Sequence, residues 1–128
     1  MAMVTPEHVF RNMVTAFGAG DRASMRELLA DDIVAYVTNA SGSVDRVEGA
    51  EAYIARVPDV TGAEYSTEVT QVVSVAHGQV LGMVEIKAAR EGRTLHNHAA
   101  FLARVADERI TELWMVEALP AYSDEFWS

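Results

Sequence analysis

The sequence predicts an α+β domain, with helices in the N-terminal part covering a strongly curved antiparallel sheet. Three observations carry this expectation. Apolar residues recur at helical spacing in three segments ahead of Pro58. From Glu64 onward the chain reads as four long runs rich in β-branched and aromatic residues. The joints between those runs are far shorter than the dozen or so residues of a parallel crossover, so successive runs must pair antiparallel.

Thr5-Pro6-Glu7 opens the first helix. Thr5 offers a capping oxygen, Pro6 suits the first helical position, and Glu7 complements the positive end of the helix dipole. Val9, Phe10, Met13, Val14 and Phe17 form its apolar stripe, and Gly18 and Gly20 end it. Asp21 caps a second helix that carries Met25, Leu28 and Leu29. Ile33 to Thr38 reads as a strand, and Asn39-Ala40-Ser41-Gly42-Ser43 as a loop. Gly49 to Val57 reads as a short third helix that Pro58 stops. The four long strands span Glu64–Ala76, Gln79–Ala89, Thr94–Val105 and Arg109–Leu119. Strands of about eleven residues twist and curl. The helices must cover the concave face, and the enclosed space suits a small molecule.

The 128 residues fit one domain, residues 1–128. Such a chain buries about two-thirds of the surface its unfolded form exposes, so it needs no staple. It has no cysteine, which excludes disulfides, thiolate metal sites and a cysteine nucleophile. A net charge of -9 with no run of Lys or Arg argues against nucleic acid and anionic lipid as partners. Met1-Ala2-Met3-Val4-Thr5-Pro6 shows no leader pattern, and no apolar stretch approaches the ~20 residues of a membrane span. A cytoplasmic protein is the expectation.

Several stretches resemble the nuclear transport factor 2-like superfamily. They are Thr5-Pro6-Glu7-His8, Gly20-Asp21, and Leu28-Leu29-Ala30-Asp31-Asp32 before a strand. Asp107-Glu108-Arg109-Ile110-Thr111-Glu112-Leu113-Trp114 resembles that superfamily's last hairpin. The resemblance covers essentially the whole chain and implies a cone-shaped fold in its SnoaL-like, ketosteroid-isomerase-like branch. Members include isomerases, cyclases, epoxide hydrolases, dehydratases and non-catalytic carriers, so the fold leaves the activity open.

Carried over residue by residue, the resemblance removes two chemistries. The ketosteroid isomerase base falls on Val37, its tyrosine donor on Met13 and its protonated aspartate on Phe101. All three are apolar, so nothing remains there to move a proton or hold an enolate. The epoxide-hydrolase carboxylate falls on Met115, two residues beyond the pocket-facing Leu113. The face that should carry its Arg–Asp pair holds Val84 and Ile86. These seven residues are expected to line the pocket.

Period two then places Ala35, Asn97, Ala99, Ala103 and Glu117 on the same face. The polar survivors are Asn97 and Glu117. Counting across the hairpin at Ala106-Asp107 sets them opposite each other, ~5 Å apart. A carboxylate beside a carboxamide in an apolar pocket can act as an acid/base with an orienting partner, and burial would raise its pKa. The alternative is Glu117 solvated at the rim beside Ala118-Leu119-Pro120. Tyr53 can hold its hydroxyl over the pocket mouth or serve as a packing residue with a wet tip.

His96 and His98 share one face of a strand, a spacing that can hold a metal. The expected register offers no third ligand, since Leu102 and Ala103 stand there, so no metal is expected. Alternation puts both on the outer face, although His98 matches a histidine frequent in SnoaL-like proteins and a bulge would turn it inward. His8 and His77, at a helix start and in a turn, are explained by solvent exposure. No cofactor is expected: Gly18-Ala19-Gly20 runs into Asp21, which repels an anion, and no G-x-S-x-G occurs.

The resulting expectation is a domain that binds a small, largely apolar molecule. One reading is a cofactor-independent isomerase, cyclase or lyase using Glu117, Asn97, and His98 or Tyr53. The other is a non-catalytic binding, accessory or association domain. On the outer face Trp114, Leu102, Val116 and Met83 make an apolar patch suited to a second copy of the sheet. The alternative is that the tail lays Phe126 and Trp127 over this patch.

Overall fold

In the computed structural model, which describes residues 4–128, the Thr5 hydroxyl oxygen accepts from the His8 amide at 3.2 Å. It thereby caps α1 (Pro6–Ala19). Met1-Ala2-Met3, part of the stretch read for a leader, lies outside the described residues. Gly20 closes α1 in the left-handed region at φ 65°. The Asp21 carboxylate accepts from the Ser24 amide at 3.0 Å and starts α2 (Arg22–Leu28). Both capping expectations hold.

The first strand, β1 (Leu29–Thr38), begins four residues before the expected Ile33. Leu29 is fully buried against β6 and extends the pairing backward across an irregularity between Leu29 and Val34. Two exposed aspartates in that stretch hid the strand. After the Asn39 loop comes β2 (Val44–Glu48), an element the sequence reading did not contain. Only its Val47 is buried, so it carries no alternating apolar signal. There follow α3 (Ala50–Ala55), β3 (Glu64–Ala76), β4 (Gln79–Arg90), β5 (Arg93–Ala106), β6 (Arg109–Glu117) and α4 (Pro120–Trp127).

The six strands form one sheet in the order β2-β1-β6-β5-β4-β3. The four long strands pair antiparallel in chain order, as their short joints require. β1 adds to β6 in parallel. The class is α+β, with helices on the inner face of the sheet.

α1 lies across that face. The ring of Phe10 meets Phe101 edge-on, centroids 5.6 Å apart. A Cβ on Gly82 would overlap the Phe10 ring, so β4 needs glycine where α1 crosses it. The Thr67 hydroxyl donates to the Val14 carbonyl at 3.0 Å and ties α1 to β3. Met13 and Leu113 are sealed in this core, each 1% exposed.

The tail, to which the sequence reading assigned no helix, forms α4. Pro120 sits at its start, and Phe126 is buried between Ala88 and Leu95. Alone, eight residues cannot sustain a helix; docking supplies the stability. Among the described residues no helix is long and apolar enough to cross a membrane.

Candidate functional site

A cavity of about 550 Å³ opens between α1, α3, α4 and the inner face of the sheet. Its floor is apolar. Val37 comes from β1, Val84 and Ile86 from β4, Phe101 from β5, and Met115 from β6. Val14 and Phe17 of α1 and Val57 beyond α3 complete it. Met13 and Leu113, expected on the wall, lie outside this lining in the core. They face inward as alternation requires, but α1 packs so closely on the sheet that no open space reaches them.

Glu117 lines the cavity and is half-buried, so it is neither enclosed nor a free rim residue. Its position depends on a bulge. Asp107 and Glu108, both at positive φ, make the tight β5–β6 turn. The register then shifts by one residue between Arg104 and Val105. Ile110 points inward before the shift, and Leu113, Met115 and Glu117 point inward after it. Turn and shift together correct the expected pairing: the turn centres on Asp107-Glu108 and the shift adds a further residue, so Glu117 stands opposite Ala99, not Asn97.

Asn97 is 1% exposed and is absent from the cavity lining. Its Oδ1 accepts from the amides of Leu119 at 3.1 Å and His98 at 2.9 Å. Its Nδ2 donates to the Leu119 carbonyl at 3.2 Å. The carboxamide thus fastens the turn between β6 and α4 and does not orient Glu117 as expected. His98 lies on the outer face, half its side chain exposed, and cannot assist in the cavity. No bulge falls between β4 and β5 to turn it inward.

Tyr53 does line the cavity, buried near Phe17 at 6.4 Å between ring centroids. Burial, reinforced by Tyr65, pushes its phenol above its ordinary 10.0. Tyr65, which the sequence reading passed over, is pushed up to about 12 by burial and by the charge of Glu117. Both phenols therefore stay protonated near neutrality and can donate. Burial also raises the Glu117 carboxyl above its ordinary 4.5; the Ser123 hydroxyl opposes this by hydrogen bonding, and Asp124 adds to it.

A second polar region borders the cavity. Asp45 accepts from Asn39 at 3.0 Å and from Arg56 at 2.9 Å, and these two bonds hold its carboxyl below the ordinary carboxylate value. Asn39 meanwhile accepts from Ser41 and Ser43 and orders its loop. Asp45 belongs to the unread β2, so nothing in the sequence pattern could find it. Tyr65 was reachable: with Thr67 and Val69 it forms the less exposed alternating face of β3.

The arrangement is an apolar chamber with the Glu117 carboxyl in its wall, Asp124 beside it, phenolic donors nearby and the paired Asp45–Arg56 at its edge. A family model described as a SnoaL-like domain matches residues 10–113. The chain belongs to the SnoaL-like domain family. The uncharacterized protein Rv0034 of Mycobacterium tuberculosis is 30% identical over 121 residues, 92% of each chain. Among solved structures, Bal32a from a soil-derived mobile gene cassette superposes with a TM-score of 0.76 at 19% identity, over 96% of both chains. IdmH from Streptomyces antibioticus, a proposed polyketide cyclase, gives 0.73 at 18% identity, over 94% of this chain and 97% of its own. At such identities the structural matches establish this SnoaL-like chain's fold, and its side chains must argue the chemistry.

Proposed function

We propose that the cavity takes a small, largely apolar molecule bearing a carbonyl group, and that Glu117 moves a proton on it. The reaction is of the isomerase, cyclase or lyase type and uses no cofactor. The observation that carries this reading is a carboxyl with a raised pKa set in an apolar wall. As a carboxylate, Glu117 removes a proton from the carbon beside the carbonyl. The electron pair moves to the carbonyl oxygen, to which Tyr65 or Tyr53 donates a hydrogen bond. Glu117 then returns the proton at another atom or after ring closure. The likeness to IdmH is in keeping with a cyclisation of this kind.

The test has two parts. A panel of apolar ketones and β-dicarbonyl compounds is screened for raised melting temperature, and each binder is incubated in deuterated buffer. The expected outcome is deuterium uptake beside the carbonyl, slowed at least about 100-fold by Glu117→Gln with binding retained. Uptake unchanged in that variant removes Glu117 from the chemistry. A ligand bound without uptake by the unaltered protein supports the second reading, a binding or accessory protein, which the apolar residues at Val37, Phe101 and Met115 favour.

We further infer a homodimer packed outer face to outer face. Val116 is 54% exposed and Met83 38%, and Trp114 stacks on Tyr36 at 5.4 Å to make a flat apolar surface. Leu102 lies directly across from Trp114. The tail does not cover this patch, because α4 docks on the opposite face through Phe126.

A further inference from the structure

The outer face carries a constellation that the cavity does not use. His96 and His98, two residues apart on β5, turn their rings the same way, with centroids 5.2 Å apart. Glu85 on β4 pairs in register with His98. Its Oε2 lies 2.7 Å from His96 Nε2 and 3.6 Å from His98 Nε2. One ligand atom from each of the three residues falls within 4.8 Å of the others. The third ligand missing along β5 is thus supplied across the ladder, by a residue 11 positions before His96 in the chain.

We propose that His96, His98 and Glu85 bind a divalent transition cation of the zinc class. Ligand atoms around a tetrahedral zinc lie ~3.3 Å apart, as metal–ligand distances of ~2.0–2.2 Å require. The two observed nitrogen–oxygen separations bracket that value. Two imidazoles and a carboxylate favour zinc, nickel or copper over calcium or magnesium, which prefer oxygen-only shells.

Glu85 is suited to binding through a single oxygen. Its Oε2 faces both imidazoles, while Oε1 lies 3.8 Å from Lys87 Nζ. A cation would take the place of the hydrogen bond between His96 Nε2 and Glu85 Oε2. In the single chain the side chains are 56%, 51% and 23% exposed for His96, His98 and Glu85. A cation here clamps β4 to β5 on the face opposite the cavity.

The untagged full chain, stripped with chelator, is titrated with zinc against a chromophoric competitor, and separately with cobalt(II) followed by its visible absorption. The expected result is one cation per chain. His96→Ala, His98→Ala and Glu85→Ala should each weaken binding at least about tenfold while far-ultraviolet dichroism stays unchanged. A His8→Ala/His77→Ala double variant, which leaves the site intact, should bind as the unaltered chain does. Absence of saturable binding, full affinity in His98→Ala, or loss of affinity in the His8/His77 variant would overturn the assignment.

Discussion

Glu117 reaches the cavity because one bulge in β6 advances the register by a residue, and that residue together with the turn centred on Asp107-Glu108 sets it opposite Ala99 and not Asn97. Period two correctly put both side chains inward; the count across the hairpin could not see the bulge. The raised Glu117 pKa means that the folded state favours the protonated carboxyl. Its stabilising effect is complete below the ordinary 4.5 and is lost as pH rises through the elevated folded value. Glu117→Gln has no such loss. The melting temperature of the unaltered protein should therefore fall relative to this variant as pH rises from 4 to 8. A parallel pair of melting curves would show that the carboxyl is not perturbed. Asn97 predicts differently. Asn97→Leu leaves the part-buried amides of His98 and Leu119 without their acceptor, at a cost of about 1–3 kcal/mol. Urea unfolding should give that loss, and an effect below about 1 kcal/mol would mean that the turn finds other partners.

Among the elements, the four long strands and α1 were legible because each carries its own periodic signal and its own turn or cap residues. β2 and α4 were not. Each is short and weakly patterned, and its stability comes from the element it docks on. α4 is held by Phe126 in its pocket, by the Tyr122 hydroxyl donating to Thr94 at 2.6 Å, and by Arg90 over the Trp127 ring at 5.2 Å. It also supplies Ser123, Asp124 and Trp127 to the cavity. Phe126→Ala should lower global stability by at most about 3 kcal/mol, because the helix can undock before the sheet unfolds. Limited proteolysis should then cut between Leu119 and Trp127 while the sheet stays intact. Resistance equal to that of the unaltered protein would show that the polar contacts alone hold α4 down.

At the scale of the molecule, a sheet with helices on one face leaves its other face to solvent or to a partner. Packed about a two-fold axis, the outer patch would give a mass twice 14.0 kDa. Sedimentation equilibrium at micromolar concentration should show that mass, and Trp114→Glu should halve it by placing a charge in the interface. A single-chain mass for the unaltered protein would reject the pairing. The sequence by itself determined the α+β class, the antiparallel order of the long strands and the inward set Val37, Val84, Ile86, Phe101, Met115 and Glu117. The class and strand order follow from local periodicity and from joints too short to allow any other connection; the inward set follows from the family resemblance, with period two adding Glu117. Tertiary structure alone decided the parallel seam of β1 on β6, the bulge in β6, the α4 cover, and the meeting of Glu85 with His96 and His98. Each of these joins residues far apart in the chain or turns on a one-residue offset, and neither leaves a mark in local pattern.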